Sequence, residues 1–220
     1  MPSKKFFIID FDSTFTSVEA LDVLCEIALK DAPNKNAALE QIVKITNQGM
    51  AGEISLSQSL EERIRILKAH RDHIPLLIEQ LKRKVSKSFR RNEAFIQQNA
   101  ERIFIVSNGF KEFIVPVVAT FGIVESHVFA NNFIFDVDGN IIGYDKTNLL
   151  SSNHGKAKEI ESLNLPGKII VIGDGYTDYE IKSMGCADTF IAFTENISRP
   201  KVTAKGDYIA NNFEEVLQLI

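Results

Sequence analysis

The chain has 220 residues with 25 Lys and Arg against 29 Asp and Glu, a net charge of −4, which argues against a nucleic-acid-binding surface. Hydrophobic residues make up 45% of it, enough core for one large domain or one domain with an insertion. No apolar run approaches a membrane span, and the N-terminal one, broken by Asp10, is too short for a signal peptide.

Lys5–Ile9 is apolar without alternation, the pattern of a strand buried on both faces of a parallel sheet. Helical patterns follow at 18–29, 37–46, 56–69 and 74–85, with Pro75 in the first turn of the last, where proline is tolerated. Residues 103–106 read as a second buried strand, followed by Ser107-Asn108-Gly109 and a helix over 111–121. A short strand over 128–130 comes next. Phe133, Phe135 and Val137 then alternate up to Asp138-Gly139, with Ile141 and Tyr144 beyond, which predicts a β-hairpin. A helix is expected over 154–163, a buried strand over 168–172 and a helix over 178–184. Strands at 190–193 and 208–210 and an amphipathic helix over 213–219 close the chain.

Strands alternating with helices on both sides of an all-helical stretch predict an α/β fold: a Rossmann-like parallel sheet with an inserted helical cap and a β-hairpin. The expected division is 1–15 and 85–220 for the core and 16–84 for the cap. Ligands of open α/β sheets bind beyond the carboxyl ends of the strands. Three apolar strands end there in polar clusters: Asp10 and Asp12, Ser107 to Gly109, and Gly173 to Asp178. Alone, Asp10 and Asp12 read equally well as a turn and helix cap. Parallel neighbours would instead bring all three clusters together. Asp10, Asp12, Asp174 and Asp178 in one pocket would repel and raise one another's pKa, and a hard divalent cation such as Mg²⁺ relieves this. Lys156 adds a positive charge. Ser107 and the backbone N–H groups of Asn108 and Gly109 form an anion cradle, expected at a helix N-terminus. Acids, a metal, a lysine and an anion cradle together describe a phosphate site, in which a carboxylate can act as covalent nucleophile.

Other residues keep two readings. Arg63 falls inside the apolar stripe of Leu56, Leu60, Ile64 and Leu67, either as a snorkelling side chain or as a bidentate carboxylate ligand. Glu19 is either a helix-start acid or a substrate contact. Lys82, Arg83, Lys84 and Lys87 read as a solvated basic face. His70, His73, His127 and His154 share no metal-ligand spacing, and His154 is expected at a helix start on the surface. Cys25 and Cys186 are expected to be free and buried, in keeping with a reducing compartment, the cytoplasm.

Asp10-Phe-Asp-Ser-Thr14, Ser107-Asn108-Gly109, Lys156 and Gly173-Asp174-Gly-Tyr-Thr177-Asp178 resemble, in order, the four motifs of the haloacid dehalogenase superfamily. The pattern is most similar to its phosphoserine phosphatase branch. That resemblance implies Asp10 as nucleophile, Asp12 as general acid and base, and Mg²⁺ held by Asp10, the Asp12 carbonyl, Asp174 and Asp178. It implies Ser107, Asn108, Gly109, Thr177 and Lys156 around the phosphoryl group, with Glu19, Arg63 and Met50 on the substrate. The implied reaction is hydrolysis of a small phosphorylated substrate, O-phosphoserine, to serine and phosphate in serine biosynthesis. Asn108 and Ala51 stand where the family usually has glycine, and Leu56 where it has phenylalanine. Other expectations are a different small phosphometabolite on the same scaffold, a phosphotransferase or mutase, or a receiver domain whose aspartate stores phosphoryl. No nucleic-acid or membrane partner is expected, and oligomeric state is not legible.

Overall fold

A computed structural model describes residues 4–219. Six parallel strands form one sheet in the order β3-β2-β1-β6-β7-β8: β1 (Lys5–Ile9), β2 (Ile103–Phe110), β3 (Val128–Asn131), β6 (Lys168–Gly173), β7 (Thr189–Phe193) and β8 (Tyr208–Ala210). A separate antiparallel hairpin pairs β4 (Phe133–Phe135) with β5 (Ile141–Tyr144). The two-residue side-chain period divides each central strand between two cores. Phe7, Ile9, Ile105, Ile172 and Phe193 enter a core on one face, and Phe6, Ile8, Val106, Val171 and Phe190 enter a core on the other. Continuous apolar runs were therefore the right signal for strands covered on both sides.

Between β1 and β2 lie only helices: α1 (Ala20–Ala28), α2 (Lys35–Met50), α3 (Leu56–Leu67), α4 (His73–Arg83), and two short ones, α5 (Lys87–Arg91) and α6 (Glu93–Gln98), that the sequence pattern did not single out. The helix expected at 37–46 extends to Met50 because Gly49 lets α2 press against α3, where a Cβ would lie 2.8 Å from Ser59 Oγ. Ser55 caps α3 by accepting from the Gln58 N–H, and Lys68 ends it in the left-handed conformation, two residues before the expected end. After β2 come α7 (Lys111–Val118) and, further on, α8 (Gly155–Leu163), α9 (Tyr176–Ser183), α10 (Pro200–Thr203) and α11 (Phe213–Leu219). Phe89 of α5 centres an aromatic cluster with Phe15, Phe193 and Phe213, which fastens the start of the return to the sheet.

Two expectations are corrected here. Cys186 is half-buried rather than buried, its thiol lying near the Met184 carbonyl in the turn after α9; Cys25 is buried as expected. The Ser107–Gly109 cradle does not begin a helix. It lies within the irregular end of β2, because Phe110 still pairs with Asn131 of β3, and α7 starts only at Lys111.

The two crossings between sheet and helices are closed together. Thr16 bridges Val85, the Ser17 N–H donates to Lys84 O, and the Ser86 N–H donates to Phe15 O. The hairpin joins the helices at their far end: the Arg71 N–H donates to Gly139 O and the Ile141 N–H to Ala69 O, each at 2.9 Å.

Candidate active site

The chain leaves β1 at Asp10 and turns through Phe11–Phe15, where Ser13 has φ +55, a left-handed conformation costly for a residue with a Cβ. Three contacts hold the turn. Ser13 Oγ donates to Glu19 Oε1 at 2.6 Å, the Asn196 amide donates to the carbonyls of Ser13 and Thr14, and Ser86 Oγ donates to Thr14 O. The turn directs Asp10 to the centre of the sheet edge, between the ends of β2 and β6.

Asp10, Asp174 and Asp178 each offer an oxygen, all within 4.8 Å of one another, and all three are buried. Lys156, 2% exposed, donates to Asp10 Oδ1 and to Asp178 Oδ1, both at 2.7 Å. It reaches them from the first turn of α8, whose approach requires Gly155: a Cβ there would meet Leu149 O at 2.1 Å. Burial works to lower the Lys156 pKa, and the Asp10 and Asp178 carboxylates more than reverse it, so the ammonium stays charged. Lys156 touches only two of the three acids, and the ion pairs do not offset the desolvation of all three. Burial first, then Asp10, pushes Asp178 up to about 8 against the pull of Lys156. Burial, Asp10 and Glu19 push Asp174 up to about 7.

Asp12 does not join this cluster through its side chain. Its Oδ1 accepts from the Ala20 N–H at 2.7 Å, at the start of α1, and its Oδ2 lies beside Gly109, where a Cβ would be 3.2 Å away. Burial, then the Glu19 charge, raises its pKa well above the usual carboxylate range. In the cradle, the Gly109 N–H donates to Ser107 Oγ at 2.9 Å.

Next to these groups lies a cavity of about 300 Å³, with Asn108, Thr177, Tyr176 and Glu180 on the sheet side and Met50, Ser59 and Arg63 on the helical side. Arg63 is 7% exposed, which removes the snorkelling reading. Its Nε donates to Ser59 O, and its charge acts on Asp12, Glu19 and Asp22. Glu19 is half-buried beside the strained turn, its side chain 12% exposed, and desolvation, more than any charge, raises its pKa. His154 starts α8 at the surface, as expected, with Nδ1 2.9 Å from Glu180 Oε1.

Sequence reading missed Arg199. Its Nε donates to Asp174 Oδ2 at 3.0 Å, its Nη1 donates to Asn47 Oδ1 at 3.3 Å, and Nη2 lies 3.8 Å from Glu19 Oε1. It follows β7 by six positions, with no motif around it; the only available signal was that β7 ends at the same sheet edge.

The donor set suits a hard cation: three buried carboxylates, two of them pushed far above their usual range, with one lysine and one arginine for compensation. Three buried carboxylates, a fourth carboxyl at Asp12, a buried ammonium and the Ser107–Gly109 turn thus meet at one end of the sheet.

The sequence profile of the haloacid dehalogenase-like hydrolases matches residues 7–181. A phosphoserine phosphohydrolase-like protein from Francisella tularensis is 32% identical and superposes with a TM-score of 0.88, over 99% of this chain and 100% of that one. Human phosphoserine phosphatase is 29% identical over 212 residues, 94% of this chain and 89% of that protein. A phosphoserine phosphatase solved as a phospho-aspartyl intermediate analogue, 23% identical, shares the fold over 100% of both chains with a TM-score of 0.79. Among the described residues no helix is long and apolar enough to cross a membrane. The chain belongs to the haloacid dehalogenase-like hydrolases, as a hydrolase of the phosphatase type.

Proposed function

We propose that this chain hydrolyses a small phosphomonoester, O-phosphoserine, through a phospho-enzyme at Asp10. The observation that carries the reading is the meeting of buried Asp10, its Lys156 partner and the Ser107–Gly109 cradle beside a cavity lined by Arg63. In the first half, an Asp10 oxygen attacks phosphorus, the ester P–O bond breaks, and Asp12 gives its proton to the departing oxygen. In the second, water attacks the same phosphorus, Asp12 takes its proton, and the bond to Asp10 breaks to release inorganic phosphate. The pushed-up pKa of Asp12 suits it to arrive protonated. Lys156 and the cradle hold the phosphoryl oxygens, and Thr177 lies beside them.

Asp10, Asp174 and Asp178 would hold Mg²⁺, with the Asp12 carbonyl completing the set; the ion neutralises charge on the transferring group. Arg63 and Met50 line the cavity, where Arg63 would take a substrate carboxylate as a bidentate partner, and Glu19, which feels the Arg63 charge, would take the amine. The product would be free serine, consistent with a role in serine biosynthesis in the cytoplasm. In this reading residues 16–84 form a cap over a core of 1–15 and 85–220 and close on the substrate.

The test is phosphate release from a panel of small phosphate esters, with and without Mg²⁺, beside Asp10→Asn. Phosphoserine should be turned over best, only with the metal, and not at all by the variant. A better ester would redirect the substrate assignment toward another phosphometabolite, for which the cavity wall beyond Arg63, with Tyr176, Glu180 and His154, leaves room. Activity in Asp10→Asn would remove the covalent mechanism, and a long-lived phospho-Asp10 without turnover would favour a receiver.

A further inference from the structure

β2 and β3 run in register through Ile105/Val128 and Val106/Phe129, lose it, and meet again only at Phe110/Asn131. The residues inside the gap are Ser107, Asn108 and Gly109, the cradle itself. Backbone groups that leave a ladder in a buried sheet need other partners. The Asn108 carbonyl accepts from Asn131 Nδ2 at 2.9 Å. The same amide reaches Leu150 O at 3.3 Å, and Leu150 O also accepts from Asn108 Nδ2 at 2.9 Å. Leu150 lies in the short turn Leu149–Ser151 that leads into α8 and Lys156. One side chain therefore ties together the two segments that face the phosphoryl position from opposite sides.

Asn131 is fully buried, and its Oδ1 has no hydrogen-bond partner. An orphaned buried oxygen costs stability, so an apolar side chain of similar size would serve packing better. What the asparagine supplies is its donor end. The peptide joining Asn108 to Gly109 is planar and trans, so a carbonyl held toward Asn131 sends the Gly109 N–H the opposite way. That N–H points to the side of Ser107 Oγ and Asp12.

We infer that Asn131 is a positioning residue for phosphoryl binding: by donating to the Asn108 and Leu150 carbonyls it aims the Gly109 N–H at the phosphoryl group and fixes the cradle relative to Lys156. The inference rests on the reading of Ser107–Gly109 as the phosphoryl cradle. Asn131→Leu keeps the branched four-atom side-chain skeleton, in a somewhat larger volume, and removes both donor and orphaned oxygen. Asn131→Asp keeps the shape and sets an oxygen against two carbonyls.

The experiment uses the full chain with Mg²⁺ and measures the affinity for inorganic phosphate and for orthovanadate by calorimetry. KM and kcat are measured for the ester the wild type hydrolyses best, and each variant's melting temperature is recorded. The expected result is phosphate and vanadate affinity weakened about tenfold or more in both variants, with KM rising by more than kcat falls. Wild-type affinity and KM in Asn131→Leu would overturn the inference, whatever its melting temperature. If that variant does not fold, Asn131→Asp decides by the same measures, and failure of both to fold would make the role structural and overturn it too. A wild type that binds neither anion would remove the cradle reading, and the role of Asn131 with it; binding by the wild type together with unchanged variants would remove the role of Asn131 alone.

Discussion

Lys156→Met removes the one ammonium that touches Asp10 and Asp178 while keeping an unbranched side chain of similar length. Each contact is 2.7 Å, and at an effective dielectric of about 20 such a pair is worth about 6 kcal/mol before desolvation is counted. Removing one partner of a buried ion pair costs about 3–5 kcal/mol net, and with two carboxylates left behind the loss belongs at about 5. For a chain of this size roughly 2–4 °C of melting temperature goes with each kcal/mol, so the variant should melt roughly 10–20 °C lower without metal at about pH 9, above the Asp178 value of about 8. The deficit should shrink when Mg²⁺ is added, and again when Asp178→Asn is combined with it, because each relieves the same uncompensated charge. Differential scanning calorimetry of the single and double variants, with EDTA or with Mg²⁺, measures this. A single variant melting within about 3 °C of wild type, or a double variant no more stable than the single one, would refute the charge-compensation account.

Two further outcomes follow from the same geometry. Asp174 and Asp178 are pushed up to about 7 and about 8 from an ordinary value of 3.8, so the metal-free folded chain retains protons that the unfolded chain has released. Stability of the metal-free protein should therefore fall as pH rises from near 4 through 7 and 8, and because the proposed Mg²⁺ would bind the ionised acids, its gain in melting temperature should grow between pH 6 and pH 8.5; a gain independent of pH would contradict it. Gly155→Ala puts a Cβ 2.1 Å from the Leu149 carbonyl, so α8 must shift and carry Lys156 with it. A loss of about 1–3 kcal/mol in urea unfolding and a drop in kcat/KM of at least tenfold are expected; retention of both would show that the α8 approach has slack.

Much of the site was legible because its acids follow the ends of buried strands, Asp10 after β1 and Asp174 after β6. A short apolar run bounded by turn residues reads as a strand covered on both faces, and its first polar residues then fall at the sheet edge, as with Asp10 and Asp174. Arg63 was legible as an anomaly, a charge inside an apolar stripe, and its burial sets aside the snorkelling reading. Arg199 and Asn131 were not, since neither breaks a pattern: one follows a strand by several residues, and the other ends a strand in which a polar residue is unremarkable. The end of β2 was misplaced for a related reason. Ser-Asn-Gly looks like a stop signal, and only the pairing of Phe110 with Asn131, invisible without β3 alongside, extends the strand through it. Exposure of Cys186 likewise depended on how the turn after α9 sits, which its apolar neighbours did not reveal.

The backbone contacts between the hairpin turn and residues 69–71 determine how access to the cavity can be governed. If the helices swing, they pull on a lever whose fulcrum is the closed ribbon at Thr16 and Val85 and whose far arm is the hairpin. On the cap reading, a swing about that line would bend the roots of β4 and β5 together with the ribbon, so hairpin stiffness would enter the rate of opening. Gly139 shows how tight the joint is: at φ +94, a Cβ on it would lie 2.4 Å from His70 Nε2. Chain variation at this turn, remote from every acid in the pocket, would thus change how fast substrate enters and product leaves while the chemistry stayed the same.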